Sequence, residues 1–317
     1  MQELEETFSE DPWMNAMLQG KFEEAWKISD AVLQERAGKP CWHLPRHQQY
    51  IWDGSSLENR RVLVRCYHGL GDTIQFIRFM PELKRVAKEV IVWAQPPLIP
   101  LLQTVEGIDR ILPLHDGTPE VEYDVDIEIM ELSHIFRSTL ETIPRKIPYL
   151  HVAPTYLSSH QNTLSVGLVW KAKDWDPQRN IAFPLLKPLL DVPGSIIYIL
   201  QGDAKAAGWQ EGVATYPGEY NLYDYAGVIA GLDLLISIDS MPAHLAGALG
   251  VPVWTLLHAS ADWRWMRGRN ETPWYPTMHL FRQQQQGAWE PVIQKVKEQL
   301  QQLAQTKTSI SGEHTAV

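Results

Sequence analysis

Apolar positions along the chain change their period several times, and the changes mark out its elements. Between Pro12 and Arg36 they fall at helical spacing: Met14, Met17 and Leu18, then Phe22, Ala25, Trp26 and Ile28. Gly20 lies between the two groups, so the segment predicts a helical hairpin. From Arg61 short apolar runs take over. RVLVRCY predicts a strand, HGLGD a glycine-rich turn, and TIQFIRFMPELKRVA a helix with Ile74, Ile77, Phe79 and Leu83 in register. VIVWA, ILPL and DVDIEIM predict further strands, with LIPLLQTV as a helix after the first of them. A second series starts near Ser165. SVGLVW, SIIYILQ, DLLISID and VPVWTLL predict strands, while Pro184 to Leu190, DYAGVIAGL and MPAHLAGALG predict helices. Trp289 to Leu303 predicts a last amphipathic helix, and QTKTSISGEHTAV a disordered tail.

Alternating strands and helices at this spacing imply parallel βαβ units, hence an α/β protein. Its 317 residues leave room for two domains. The polar stretch HVAPTYLSSHQNT, with Pro154, marks the boundary between the two series. The expected division is a helical extension over 1–58, one α/β lobe over 59–155 and a second over 156–285. A C-terminal helix over 286–304 and a flexible tail over 305–317 complete it. The hairpin resembles one tetratricopeptide-type unit. A stable array needs about three, so it reads as a helical appendage, with a protein or homo-oligomer contact as the functional alternative.

Composition narrows the class. Hydrophobic residues make up 44% and charged residues 21%, an ordinary globular balance. A net charge of -10 speaks against a nucleic-acid surface but leaves room for a local basic pocket. Two cysteines make neither a structural zinc site nor a disulfide framework. Cys66, in an apolar run, reads as a buried thiol. The acidic start MQELEETFSEDPW has no signal-peptide layout, and no apolar run approaches a membrane span. A cytoplasmic protein is expected, with a peripheral approach to the inner membrane surface open to it. Thirteen tryptophans predict well-filled cores, some of them free to line a sugar site.

Five segments carry candidate chemistry. In HGLGDTIQF, Gly69 and Gly71 lie between strand and helix, where glycine permits positive φ and close ligand approach. Asp72 follows at the carboxyl edge of the strand, either as an N-cap or as a general base. In LLISIDSMPAHLAG, Asp239 and Ser240 form a turn and Pro242 opens a helix, whose N-terminus suits a diphosphate. His244 falls on the first turn. The plain alternative there is an N-cap pair with a satisfied histidine. In GLVWKAKDWDPQRNI, Lys171, Lys173 and Arg179 could neutralise a leaving diphosphate, or form a solvated basic loop. Gln201 and Gly202 end a second-series strand and could bond a base or ribose. The tract ADWRWMRGRNETPWYPTMHLFRQ, dense in Trp, Arg and Pro, could stack on sugars and bind phosphate, or be a packed loop.

Together these segments resemble glycosyltransferase family 9, the heptosyltransferase-like enzymes, most of all the branch often fused to tetratricopeptide repeats. The likeness rests on HGLGDTIQFIRFMPEL, DLLISIDSMPAHLAGALGVPVW and DWRWMRGRNETPWYPTMHLFRQ, which stand in the family's order. It implies a GT-B fold: two Rossmann-like lobes with parallel sheets, an acceptor lobe first and a donor lobe second, and a cleft between them. It implies an inverting transfer of a heptose- or hexose-type sugar from a nucleotide-diphosphate sugar to a hydroxyl of a glycan, lipid-linked or protein acceptor. No cofactor, metal or nucleic acid is expected. The likeness makes Asp72 the base and Asp239, Ser240 and His244 donor-binding residues. Lys171 and Arg179 fall where the family has basic phosphate contacts, although Asn180 stands where a small hydroxyl residue is expected. A nucleotide-sugar epimerase of the same fold and a non-catalytic binding or scaffold protein are the alternatives.

Overall fold

The computed structural model describes the backbone of residues 11–157, 162–172 and 176–313, and the side chains of these up to 308. The chain falls into two compact units. The first takes in Met1–Gln95, Glu106–Arg145 and Asp262–Trp274, and the second Pro96–Val105, Lys146–Ala261 and Tyr275–Val317.

The first unit opens with the hairpin. Helix α1 (Pro12–Leu18) starts on Asp11, whose carboxylate accepts the Trp13 N–H at 2.9 Å and the Met14 N–H at 3.4 Å. Gly20, at φ +72°, turns the chain into α2 (Phe22–Arg36). Phe22, Ala25 and Trp26 are buried, and the Trp26 indole donates to the Ser138 carbonyl at 2.7 Å. The sheet that follows holds β1 (Arg61–Arg65), β2 (Glu89–Ala94), β3 (Arg110–Pro113) and β4 (Val125–Glu128) in the order β3-β2-β1-β4. All pairings are parallel. Helices α3 (Leu70–Phe76) and α4 (Met80–Val86) connect β1 to β2 through one 3₁₀ turn. Val62, Leu63 and Val64 are fully buried, which is why the strand reads as an unbroken apolar run rather than an alternating one. Cys66, just after β1, is buried as expected, and burial pushes its thiol up.

The second unit is a five-stranded parallel sheet. It is built from β5 (Leu164–Val169), β6 (Ser195–Ile199), β7 (Leu234–Ile238), β8 (Val253–Leu257) and β9 (Met278–Arg282) in the order β6-β5-β7-β8-β9. Helices α5 (Phe183–Leu190), α6 (Leu222–Ala230), α7 (Met241–Leu249) and α8 (Glu290–Glu313) belong to it. The predicted helix in LIPLLQTV is one turn, Ile99–Leu102, after the prolines at 96 and 97. Strand β9 arises from the aromatic tract and was not expected. The last helix runs to Glu313 instead of ending near Leu303. Tertiary contacts carry it on: Ala304 is buried, and the Lys307 ammonium reaches Asp233 Oδ2 at 2.6 Å. Residues 158–161 of the expected boundary and 314–317 of the expected tail lie outside the described residues. Among the described residues no helix is long and apolar enough to cross a membrane.

Each strand order has one place where the connections reverse direction. In the first sheet it lies between β1 and β4, and in the second between β5 and β7. Open α/β sheets bind ligands outside the carboxyl ends of the strands at such a switch point.

Candidate functional site

In the first unit the switch point is occupied by the turn after β1 and the end of β4. Gly69 is the N-cap of α3, with φ −68° and ψ 162°. Asp72 closes a capping box, its Oδ2 accepting the Gly69 N–H at 2.9 Å. Neither Gly69 nor Gly71 uses a positive φ, contrary to expectation, because Gly69 is extended and Gly71 already lies inside α3. A Cβ at 69 would stand 3.1 Å from Asp72 Oδ2, a tight contact at the capping carboxylate.

Asp72 is more than a cap. Its Oδ1 accepts a 2.5 Å bond from Arg264 Nη2, and its side chain keeps 25% exposure. Arg264 comes from the aromatic tract, 192 residues along the chain. It also donates from Nε to Gln75 Oε1 and from Nη1 to Asp262 Oδ1, both at 2.8 Å, and packs over the Trp263 ring at 4.8 Å. The tract's Trp263, Trp265 and Trp274 are buried. Its Asp262–Trp274 part is thus a packed element of the first unit that fixes Asp72, and the stacking and phosphate roles considered for these three rings and Arg264 do not fit their burial.

His68 and Glu128 flank the same turn, and neither was singled out from the sequence. Glu128 ends β4 with 3% exposure; its Oε2 accepts the Met130 N–H at 2.7 Å, while Oε1 is buried. His68 Nε2 lies 3.8 Å from that oxygen. Burial holds the Glu128 carboxyl well above the usual carboxylate range, and the nearby charges of Glu131 and Asp72 add to this. Burial also pushes the His68 imidazolium below its ordinary value.

In the second unit the corresponding place holds the ends of β5 and β7. All of β7 is buried, and Asp239 follows it at 6% exposure. Ser240 is the N-cap of α7 but makes no capping bond with its side chain; its hydroxyl donates to the Ile238 carbonyl at 3.2 Å. Proline stands in the first turn of α7, as expected. Arg179, 7% exposed, reaches across from the loop after β5 and donates from Nη1 to the Asp239 carbonyl at 2.9 Å. His244 is buried between two partners, with Nδ1 2.9 Å from the Tyr275 hydroxyl and Nε2 3.9 Å from Asp239 Oδ1. Gly247 allows this. A Cβ there would fall 2.3 Å from the Tyr275 ring.

The other expected residues are placed differently. Lys171 is exposed, and its backbone N–H donates to Gln201 Oε1 at 2.8 Å. Gln201 Oε1 also takes the Trp170 N–H at 3.0 Å, and its Nε2 donates to the Gly202 carbonyl at 3.0 Å. Its amide is thus engaged in joining the ends of β5 and β6. Asn180 Oδ1 accepts the Ala172 N–H at 2.8 Å. Lys173 lies outside the described residues. Two further residues complete this edge. His258, after β8, is 3% exposed and holds Nε2 3.3 Å from Asp176 Oδ2, and Asp176 Oδ2 lies 3.6 Å from Arg179 Nε.

Residues 203–301 match the family model for glycosyltransferase family 9 (heptosyltransferase). That span includes the Asp239 turn, α7 and the aromatic tract, whereas Asp72, Lys171, Arg179 and Gln201 precede it. The chain is 28% identical over 333 aligned positions to Protein FlbA of Caulobacter vibrioides, which takes in 90% of this chain and 53% of that protein. The chain therefore spans about half the length of this curated relative. Among solved structures it is similar to the glycosyl transferase family 9 from Veillonella parvula DSM 2008, with a TM-score of 0.58 and 14% identity over 80% of this chain and 98% of that one. It is also similar to the E. coli ADP-heptose lps heptosyltransferase II, with a TM-score of 0.52 and 16% identity over 78% and 99%. At such identities the likeness is one of fold, and the two parallel α/β units are those of these GT-B structures.

Proposed function

We propose that this chain, whose residues 203–301 carry the glycosyltransferase family 9 signature, is an inverting glycosyltransferase using a nucleotide-diphosphate sugar. The observation that carries the reading is the Asp239–Ser240 turn. It stands at a topological switch point, at the N-terminus of a nine-residue helix, inside the matched segment, with a buried arginine on its carbonyl. A helix N-terminus offers backbone N–H groups and a favourable dipole to a diphosphate. Arg179 adds positive charge where the leaving phosphate becomes more negative. Asp239 and His244 fix the shape of this floor, and Ser240 adds a hydroxyl.

The transfer is a single displacement. The bond from the anomeric carbon to the phosphate oxygen breaks as the acceptor oxygen attacks, through an oxocarbenium-like transition state. Asp72 takes the proton from the acceptor hydroxyl. Being held at both oxygens, it needs little reorganisation to do so. The sugar is of heptose or hexose type, the acceptor a hydroxyl of a glycan, lipid-linked or protein molecule, and the reaction requires no metal, so EDTA is expected to leave it intact.

The test is a thermal-shift screen of the intact chain with ADP, UDP, GDP and their sugar conjugates, ADP-heptose among them, on wild type and Asp239→Ala. A ligand at about 100 times its Kd stabilises the folded state by about 2.7 kcal/mol. One nucleotide should shift wild type and not the variant. Incubation with the donor alone then separates the classes, since an altered sugar nucleotide would mean epimerisation. No shift with any of them at millimolar concentration would remove the transferase reading and favour a scaffold.

A further inference from the structure

The hairpin expected as an appendage belongs to the first unit and packs on the tract that carries Arg264. Trp13, in the first turn of α1, meets Trp263 at 80° between ring planes, with centroids 5.5 Å apart. Phe22, the first residue of α2, lies 6.3 Å from Trp274. A helix leaves its last carbonyls without partners of its own, and the carbonyl of Leu18, which ends α1, accepts the Arg267 N–H at 2.9 Å. The same two tryptophans also meet α3: the Phe76 ring is 6.5 Å from Trp263 and 5.6 Å from Trp274. Arg264 lies over Trp263 at 4.8 Å and over Phe76 at 5.8 Å, and its Nη2 ends on Asp72 at 2.5 Å. Rings of the hairpin, of the tract and of α3 thus form one unbroken chain of contacts that leads to the Asp72 carboxylate.

The tract is strained at one point. Met266 directly follows the Trp263–Trp265 3₁₀ turn and stands at φ +50°, ψ 179°, a conformation nearly confined to glycine. Such a residue persists where its surroundings over-determine it. The hairpin supplies part of those surroundings. Arg267, the next residue, is bonded to Leu18, and the buried Met266 side chain packs at Gly20, where a Cβ would stand 3.6 Å from Sδ. The hairpin is itself anchored elsewhere in the first unit. Besides the Trp26 bond to Ser138, Asp30 accepts from Arg137 Nη1 at 2.9 Å and Nη2 at 2.8 Å, and lies 2.9 Å from His134 Nε2. It therefore offers the strained turn a fixed base.

We propose that the α1–α2 hairpin is a clamp on the Arg264 turn, and that Trp13 and Phe22 are positioning residues for Asp72, acting through Trp263 and Trp274. The effect on turnover rests on the transferase reading given above; the clamp does not. Without the Trp13 ring, Trp263 loses a contact that fixes it, and Arg264 loses a fixed surface to lie on. Asp72 gains freedom with the arginine that holds it. A displaced proton acceptor lowers the rate of the chemical step. Donor binding is spared, because the Asp239 turn belongs to the second unit. An appendage predicts the opposite, with the loss of a hairpin contact felt in the hairpin alone.

Two experiments on the full chain compare wild type with Trp13→Ala and Trp13→Phe. In the first, no ligand is added, and backbone hydrogen exchange is followed by mass spectrometry. Trp13→Ala should speed exchange by about threefold or more across Asp262–Trp274 and across residues 69–76, with β7 of the second unit unchanged as the reference. Trp13→Phe keeps an aromatic ring and should exchange close to wild type. Faster exchange confined to α1 and α2 would overturn the clamp. In the second, release of ADP from ADP-heptose with water as acceptor is measured, or the matching release from the UDP- or GDP-sugar that the thermal-shift screen selects. Trp13→Ala should lose about tenfold in kcat with donor KM within about twofold, and Trp13→Phe should recover most of the loss. A normal kcat in folded Trp13→Ala, or a loss carried by KM, would overturn the positioning role. If Trp13→Ala does not fold, Phe22→Leu, which stays apolar but loses the ring contact with Trp274, is read in both experiments by the same criteria. If no nucleotide binds in the screen, the transferase reading has failed by itself, and hydrogen exchange still decides whether the hairpin holds the Arg264 turn.

Discussion

Replacing Arg264 by methionine removes a side chain of similar length while deleting its charge and every bond it makes. The guanidinium holds Asp72 at 2.5 Å, Asp262 at 2.8 Å and Gln75 at 2.8 Å, with only 9% of the side chain exposed. Breaking a buried ion pair by removing one partner costs about 3–5 kcal/mol. Gln75 is fully buried and its Nε2 already has no partner, so losing Arg264 strips its oxygen as well, worth about 1–3 kcal/mol. The ring contact with Trp263 adds about 0.5–2 kcal/mol. Asp72 and Asp262 are each 25% exposed and regain water, which offsets part of the loss. A net destabilisation of about 3–5 kcal/mol follows, and by the size of a domain of this class a fall of about 6–20 °C in the melting temperature. Urea unfolding followed by tryptophan fluorescence reads it directly, because Trp263, Trp265 and Trp274 are buried in the same tract. Arg264→Lys should fall between the two, since a point charge cannot serve three acceptors in a fork. The double variant with Asp72→Asn should show coupling of about 1–3 kcal/mol. A loss below about 1 kcal/mol for Arg264→Met would refute the idea that this arginine organises the turn.

Three further outcomes are expected. Asp72→Asn keeps an oxygen for the Gly69 N–H but cannot accept a proton, so kcat should drop by about 10² or more while the nucleotide-induced thermal shift persists. Gly247→Ala drives a methyl group into the Tyr275 ring, which should part Tyr275 from His244, weaken nucleotide binding in the same thermal-shift assay, and cost about 1–3 kcal/mol of stability. Glu128 binds a proton more tightly folded than unfolded, so its contribution is full below the ordinary glutamate range and is lost as pH rises through the folded value. His68, His134 and His258 are pushed down by burial and act in the opposite sense, losing stability as pH falls below about 6.5. The histidines titrate alike in both proteins, so the stability of wild type relative to Glu128→Gln, read from denaturant midpoints, should fall as pH rises from 5 to 9. A parallel pair of profiles would contradict the assigned state of Glu128.

The elements that sequence patterning resolves here are those whose burial is set by the sheets themselves. Strand β7 is buried at every position, so LLISI could be nothing but an apolar run, and Gly250 in the left-handed conformation ends α7 where the pattern ends. Strand β9 escapes because its five residues sit in a tract whose tryptophans and arginines suggest binding chemistry, and His279 and Arg282 break the apolar run. The overrun of α8 depends on the Lys307–Asp233 bond, which no local pattern carries. The same divide runs through the sites. Asp239 and Ser240 follow from a strand–turn–helix read locally. Gln201 and Lys171 look like donor contacts by position, yet the Gln201 carbonyl is turned inward onto two backbone N–H groups, a geometry that depends on where β6 ends beside β5. Arg264 had a sequence signal in its tract, but its partner lies 192 residues away and could not be assigned.

Capping a helix and acting as the proposed base are compatible roles for Asp72 in this geometry. A carboxylate has two oxygens with about four acceptor positions. The cap uses one on Oδ2 and Arg264 uses one on Oδ1, and a quarter of the side chain stays exposed. Capacity to accept a further proton-bearing group therefore survives both structural bonds. What the two bonds add is fixity. A proton acceptor acts by position, and a surface aspartate would have to lose rotamer freedom before it could act. Here the helix terminus and the arginine have already fixed it. The same pairing explains why the capping function alone does not account for the turn: α3 would be capped as well by Asp72 in solvent, whereas a buried arginine carried in from a distant tract, with three acceptors gathered around it, is a costly device for holding one cap. Its cost is understandable if the position of Asp72 itself is what must not vary. Arg264→Lys separates the two views. A cap needs only the Gly69 bond, so helix stability should hardly depend on the fork. A positioned base should lose turnover, with donor KM retained, in proportion to the freedom the aspartate regains.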